Sequence, residues 1–196
     1  MYHYYMFHKP YGCVSARRDD RHPTVIDYFK ELDNENLSPV GRLDFETEGL
    51  MFITDDGKWN QLMANPSSHK EKVYEFVALG SLDEEKIAQL EAGVYLRGSD
   101  KITSPAKAEI TGHTTLGEIM PTLHPEIQKH SCHNLPSHPI VTGRLTITEG
   151  RRHQVRRMLK AVNCCIIYLK RVSIAGIELD PDLAPGEWKE FFPENI

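Results

Sequence analysis

Ten residues of this 196-residue chain, Gly41-Arg42-Leu43-Asp44-Phe45-Glu46-Thr47-Glu48-Gly49-Leu50, set four charged side chains between two glycines. An apolar run, Leu50-Met51-Phe52-Ile53, follows directly. The glycines permit backbone angles and close approaches that a Cβ forbids. Asp44 is therefore expected to project from a constrained loop beside a sheet, where scaffolds hold reactive groups. If residues 44–48 were extended, Asp44, Glu46 and Glu48 would share one side, and paired carboxylates of that kind perform acid/base work in glycoside hydrolysis. The competing reading is a solvated hairpin loop. For Glu46 and Glu48 solvation is the expected role.

Basic residues form the second group. Strand Thr142–Thr148 leads through Glu149-Gly150 into a helix opening on Arg151-Arg152-His153-Gln154. Free N–H groups at a helix start favour an anion, and the arginines add to that. A core helix with a solvated basic face explains the same pattern. Lys9, in the turn Lys9-Pro10-Tyr11-Gly12, is either a phosphate ligand or a solvated lysine, and the residue types alone favour the latter. Three arginines of the loop Arg17-Arg18-Asp19-Asp20-Arg21 could reach a polyanion.

Other chemistries find no support. The chain has no G-x-G-x-x-G, no P-loop and no G-x-S-x-G. His124, His130, Cys132, His133 and His138 match no standard zinc spacing, so no metal site is expected. Net charge is −5, yet residues 149–171 carry seven Lys/Arg against the single acid Glu149. A local basic face of that kind can hold a polyanion on an acidic protein. No run reaches membrane-span length, and the N-terminal residues lack signal-peptide features. Four cysteines without paired spacing fit reduced thiols and a cytoplasmic protein.

Periodicity outlines the elements that must position these groups. Strands are expected over 2–7, 50–54, 73–79, 94–96, 106–110, 142–148, 166–169 and 177–179. A helix of about ten residues should start at Thr24, with Thr24 and Asp27 as capping box. Another carries Trp59, Leu62 and Met63 on one face and stops at Pro66. A third starts at the box Ser81–Glu84 and runs to Gly93. In the last, Val155, Met158, Leu159 and Val162 fall at helical spacing, with His153, Arg156, Arg157 and Lys160 opposite. Residues 113–139 have no clear period and read as a long inserted loop. The pattern implies an α+β fold with a mixed, largely antiparallel sheet flanked by helices, in one domain spanning 1–196.

Taken together, the motifs resemble the RsuA-type ribosomal RNA pseudouridine synthases. Gly41-Arg42-Leu43-Asp44 with Thr47-Glu48-Gly49-Leu50 resembles the family's catalytic motif. Lys9-Pro10-x-Gly12, Glu71-Lys72-Val73-Tyr74 and Glu149-Gly150-Arg151-x-His153-Gln154-Val155-Arg156-Arg157-Met158 resemble three more, in family order. Leu169-x-Arg171 and Leu183-x-Pro185-Gly186-Glu187-Trp188 resemble the closing motif. The resemblance implies the pseudouridine synthase fold. It makes Asp44 the catalytic carboxylate, Tyr74 the residue stacked on the uracil, and Arg156 the cation paired with Asp44. Leu169 would pack against the base. Lys9, Arg42, Lys72, Arg151, His153, Gln154, Arg157 and Arg171 would contact RNA. It implies no cofactor, because the isomerisation involves no redox change, and a monomeric protein whose partner is ribosomal RNA or a ribosomal assembly intermediate. Asp20-x-His22-Pro23-Thr24-Val25 and Asp55-Asp56-Gly57-Lys58-Trp59 look closest to the small-subunit (16S) enzymes. A large-subunit (23S) enzyme, a non-catalytic RNA-binding assembly protein and a glycosidase-like hydrolase are the alternatives. Two departures are the absence of the N-terminal S4-type module many members carry and the length of 113–139.

Overall fold

The computed structural model describes residues 2–131 and 133–193. In chain order, the elements begin with β1 (Tyr4–Lys9), a 3-10 helix (Val25–Leu32), β2 (Ser38–Pro39), β3 (Glu48–Thr54) and α1 (Gly57–Ala64). They continue with β4 (Lys72–Leu79), α2 (Glu84–Ala92), β5 (Lys107–Thr115), α3 (Leu116–Ile119), α4 (Pro125–Ser131) and β6 (Pro139–Ile147). Last come α5 (Gln154–Ala161), β7 (Cys165–Ile174), β8 (Ile177–Glu178) and β9 (Trp188–Glu190). The class is α+β, as expected. The chain forms two compact units, residues up to Lys70 with those from Lys170 onward, and Glu71–Leu169.

In the first unit every position of β3 is buried, which is why Leu50–Ile53 reads as an unbroken apolar run rather than an alternation. β3 pairs antiparallel with β1 from Tyr4↔Thr54 to Lys9↔Gly49, and β1 pairs with β9. β1 alternates between two aromatic layers, as period-2 side chains must. Tyr5 and Phe7 meet Phe29, and Tyr5 also meets Trp188 edge-on. Tyr4 meets Trp59 on the other face, where Met6, Phe52 and Met63 complete the core. At the far end of β3, Gly49 (φ +110°) pairs with Arg171. A Cβ on Gly49 would sit 2.1 Å from the Arg171 carbonyl oxygen, so the position requires glycine.

Thr24 and Asp27 make both halves of the expected capping box, although the helix they start is 3-10. In α1, Trp59 and Met63 are buried, but Leu62 is 46% exposed and does not belong to the apolar face assigned to it. In the second unit β6 lies between β4 and β5, antiparallel to both. Val155, Met158, Leu159 and Val162 are buried as the spacing required. The cap of α2 is Asp83, which accepts from Lys86 N–H, not Ser81. Residues 94–96 form only a bridge, Tyr95↔Ile102. Residues 113–139 are not a long loop. They finish β5, form α3 and α4 and enter β6, with Leu116, Leu123 and Ile127 buried. Short helices of four and seven residues are too brief to show a period. Cys132, one of the candidate zinc ligands, lies outside the described residues. Among the described residues no group of three His, Cys, Asp or Glu is placed to hold a metal.

The turn after β3 is tied to the chain's start. Tyr4 donates its hydroxyl to Asp56 at 2.7 Å, and Asp56 also caps α1 through Lys58 and Trp59 N–H. Burial opposes the charge on Asp55. The backbone N–H and ring of His3 and the Asn34 amide outweigh burial and hold the carboxyl at about 2. A carboxyl lowered on folding stabilises fully above its unfolded value near 4 and loses that contribution as pH falls toward 2. Thermal unfolding between pH 5 and pH 2 should therefore show a shallower fall for Asp55→Asn than for the wild type. Equal slopes would contradict this account of the turn.

Candidate active site

Asp44 sits in a loop fixed from several sides. The Lys9 side chain is fully buried, and its Nζ donates to the carbonyls of Pro10 (3.0 Å), Phe45 (3.3 Å) and Thr47 (2.9 Å). An ammonium has three donors, and here all three are spent on backbone. Ser15 Oγ donates to Leu43 O (2.7 Å) and accepts from Leu43 N–H (3.0 Å), fixing the residue before Asp44. Gly12 N–H donates to Phe45 O, and Thr47 N–H closes the turn on Asp44 O. Asp44 itself is half-buried, Leu43 and Thr47 are buried, and Arg42, Phe45 and Glu46 are exposed.

Lys9 is therefore neither a phosphate ligand nor a solvated lysine. Burial pushes its pKa down to about 8, while the nearby Glu48 and Asp44 carboxylates favour its charged form. Glu48 also departs from expectation. It is 8% exposed at the start of β3, not a solvating residue, whereas Glu46 is exposed as expected. Arg171 is likewise no surface phosphate contact. It is 3% exposed, and its Nε donates to Leu50 O at 2.9 Å. Sequence reasoning missed Ser15, which carries no motif signal, and it mistook the part played by Lys9, because spacing reports nothing about burial.

The second unit carries the other candidates. Tyr74 is on β4 opposite Leu145 and is buried; Lys72, the first residue of β4, is half-buried. Leu169 on β7 is 2% exposed. Ahead of α5 the chain makes a compact knot. Glu149 accepts from Gln154 Nε2 (2.6 Å), Arg151 Nε (3.2 Å) and Ser104 N–H (3.0 Å). Gln154 is buried and accepts from Arg151 N–H, and Arg151 donates to the carbonyls of Lys101 and Ile102. Arg151 and Gln154 thus brace the start of α5, a structural part that the expectation of RNA contacts did not include. His153 is exposed with left-handed backbone (φ 53°), and Lys160 is exposed. Arg156 and Arg157 are half-buried. Arg156 Nη1 lies 3.4 Å from Ile166 O, and Arg157 Nη2 donates to Arg97 O at 2.8 Å.

Replacing Lys9 with methionine would remove the ammonium donor from the Pro10 and Thr47 carbonyls, while Phe45 O keeps Gly12 N–H. Lys9→Met is expected to cost about 2–4 kcal/mol of stability, read as a lowered urea midpoint at unchanged slope. An unchanged midpoint would show that the carbonyls find other partners.

The sequence pattern of the RNA pseudouridylate synthase family matches residues 3–161. The chain is similar to the ribosomal small subunit pseudouridine synthase A of Pseudomonas aeruginosa, at 37% identity over 193 residues, covering 98% of this chain and 72% of that protein. It is 38% identical over 195 residues to the uncharacterized RNA pseudouridine synthase YtzG of Bacillus subtilis, covering 98% and 71%. A crystal structure of a pseudouridylate synthase superposes with a TM-score of 0.77 at 32% identity, over 98% of this chain and 71% of that one. With a loop-held aspartate in the expected motif and a match of this extent, the chain belongs to the RNA pseudouridylate synthase family.

Proposed function

We propose that this protein isomerises one uridine of small-subunit (16S) ribosomal RNA to pseudouridine. The observation that carries the reading is Asp44, the motif's carboxylate, on a loop that Lys9 and Ser15 immobilise. Similarity to small-subunit enzymes over 98% of the chain favours the 16S substrate. The reaction breaks the N1–C1′ bond, turns the uracil, joins C5 to C1′ and moves the C5 proton to N1. Atoms and electrons balance without an oxidant or an energy source.

In this proposal Asp44 acts on the ribose of the extruded uridine, as nucleophile or base. Tyr74 stacks on the uracil and assists loss of the C5 proton, and Leu169 packs against the base. Arg156 is assigned to pair with the Asp44 carboxylate and aim it. Extruding the base costs a few kcal/mol, which backbone contacts to folded RNA must offset. Arg42, Lys72, His153, Arg157 and Lys160 are the residues proposed for those contacts. The protein is proposed to work in the cytoplasm as a monomer on ribosomal RNA or an assembly intermediate.

Tritium release from RNA labelled at C5 of uridine tests the chemistry. The wild type should release tritium from 16S RNA or its assembly intermediate, and Asp44→Asn should be slower by roughly a thousandfold or more. No release by the wild type from any ribosomal RNA would end the enzyme reading. Equal release by both proteins would remove Asp44 from the chemistry.

A further inference from the structure

Directly after Asp44 the loop exposes an aromatic ring. Phe45 is 38% exposed, although its carbonyl is held by Lys9 Nζ and Gly12 N–H. Its exposure therefore does not come from a slack loop. Single exposed apolar side chains are ordinary, but Phe45 is not single. The His22 ring meets it edge to face with centroids 5.1 Å apart, and the Tyr11 ring at 6.4 Å. His22 is itself exposed, and Asp19 holds it in place by accepting from His22 N–H at 2.8 Å and meeting its ring nitrogen at 3.2 Å. Arg21 directly precedes His22 and Arg42 lies three residues before Phe45, and both are exposed. A fixed π surface with a guanidinium-rich margin suits a nucleobase with its phosphates.

We propose that Phe45, supported by His22 and Tyr11, stacks on the nucleotide adjacent to the target uridine. This inference rests on the function proposed above. When the target base leaves its stack, its neighbour loses a stacking partner. A fixed, exposed ring next in sequence to the reacting carboxylate faces the strand beside the target nucleotide, whose base has lost its stacking partner. Nothing in the edge-to-face geometry reads a base's hydrogen-bonding edge, so the site selects for an aromatic base at that step rather than for one letter. Phe45 would be a substrate-stacking residue, and His22 a positioning residue acting through it.

A double-mutant cycle tests this, with both Kd and kcat/KM as readouts. Two RNAs keep the target uridine but carry an abasic site on its 5′ or its 3′ side. Stacking is worth about 1–3 kcal/mol per base, so on one of the two RNAs the wild type should lose roughly 5- to 150-fold. Phe45→Ala should lose about as much on intact RNA and no more on that abasic RNA, while Phe45→Trp should retain wild-type values. His22→Ala should show a smaller loss that vanishes on the same abasic RNA. Losses that multiply, or a Phe45→Ala protein equal to wild type on intact RNA, would overturn the proposal. If Phe45→Ala does not fold, Phe45→Leu serves, since it keeps bulk but has no π face. A wild type that binds RNA without forming pseudouridine would sink the proposed function, and the Kd cycle would still decide the role of Phe45.

Discussion

A charged amine taken out of water costs several kcal/mol unless it is fully hydrogen-bonded. Lys9 is fully buried at the end of β1, and its three acceptors are the backbone carbonyl of Pro10 and those of Phe45 and Thr47 in the loop that carries Asp44. The loop cannot move away without leaving that ammonium unsatisfied, and Lys9 cannot leave without withdrawing its donors from the Pro10 and Thr47 carbonyls. The rest of the first unit follows from this mutual dependence. β1 must run beside β3 to its last residue, so that Lys9 lies opposite Gly49. Gly49 must be glycine, because the Arg171 backbone occupies the space of its Cβ.

Ser15 and Gly12 extend the same logic to the two ends of the loop, so Asp44 is flanked on both sides by fixed backbone. A carboxylate held this way needs little reorganisation when it acts, which is what a preorganised site supplies. The second unit applies comparable economy at α5. Glu149 collects three donors, and Arg151 and Gln154 tie the helix start to the segment around Lys101. Residues that look like an anion cradle in the sequence are there the framework of the helix.

Much of this was legible in the residues. The apolar run of β3, the capping box at Thr24 and the four-residue apolar face of α5 follow from period and cap chemistry, and the structure has them. The motif around Asp44 led to the family. Burial of charge was not legible. Lys9 precedes a proline, Glu48 precedes a glycine and Arg171 follows a lysine, and residue type assigns all three to the surface. Only tertiary acceptors, such as the carbonyls around Lys9 and Leu50 O for Arg171, make their burial affordable. The segment 113–139 failed for a different reason, since its helices are shorter than the two turns that a periodic pattern needs.

Asp44, held in its anchored loop, is proposed to convert one uridine of 16S ribosomal RNA. Mapping pseudouridines in both ribosomal RNAs from cells lacking this protein tests it most directly, with wild-type or Asp44→Asn protein restored. One pseudouridine of 16S RNA should vanish on deletion, return with the wild-type protein and stay absent with Asp44→Asn. A map unchanged by deletion, or a site restored by Asp44→Asn, would contradict the account.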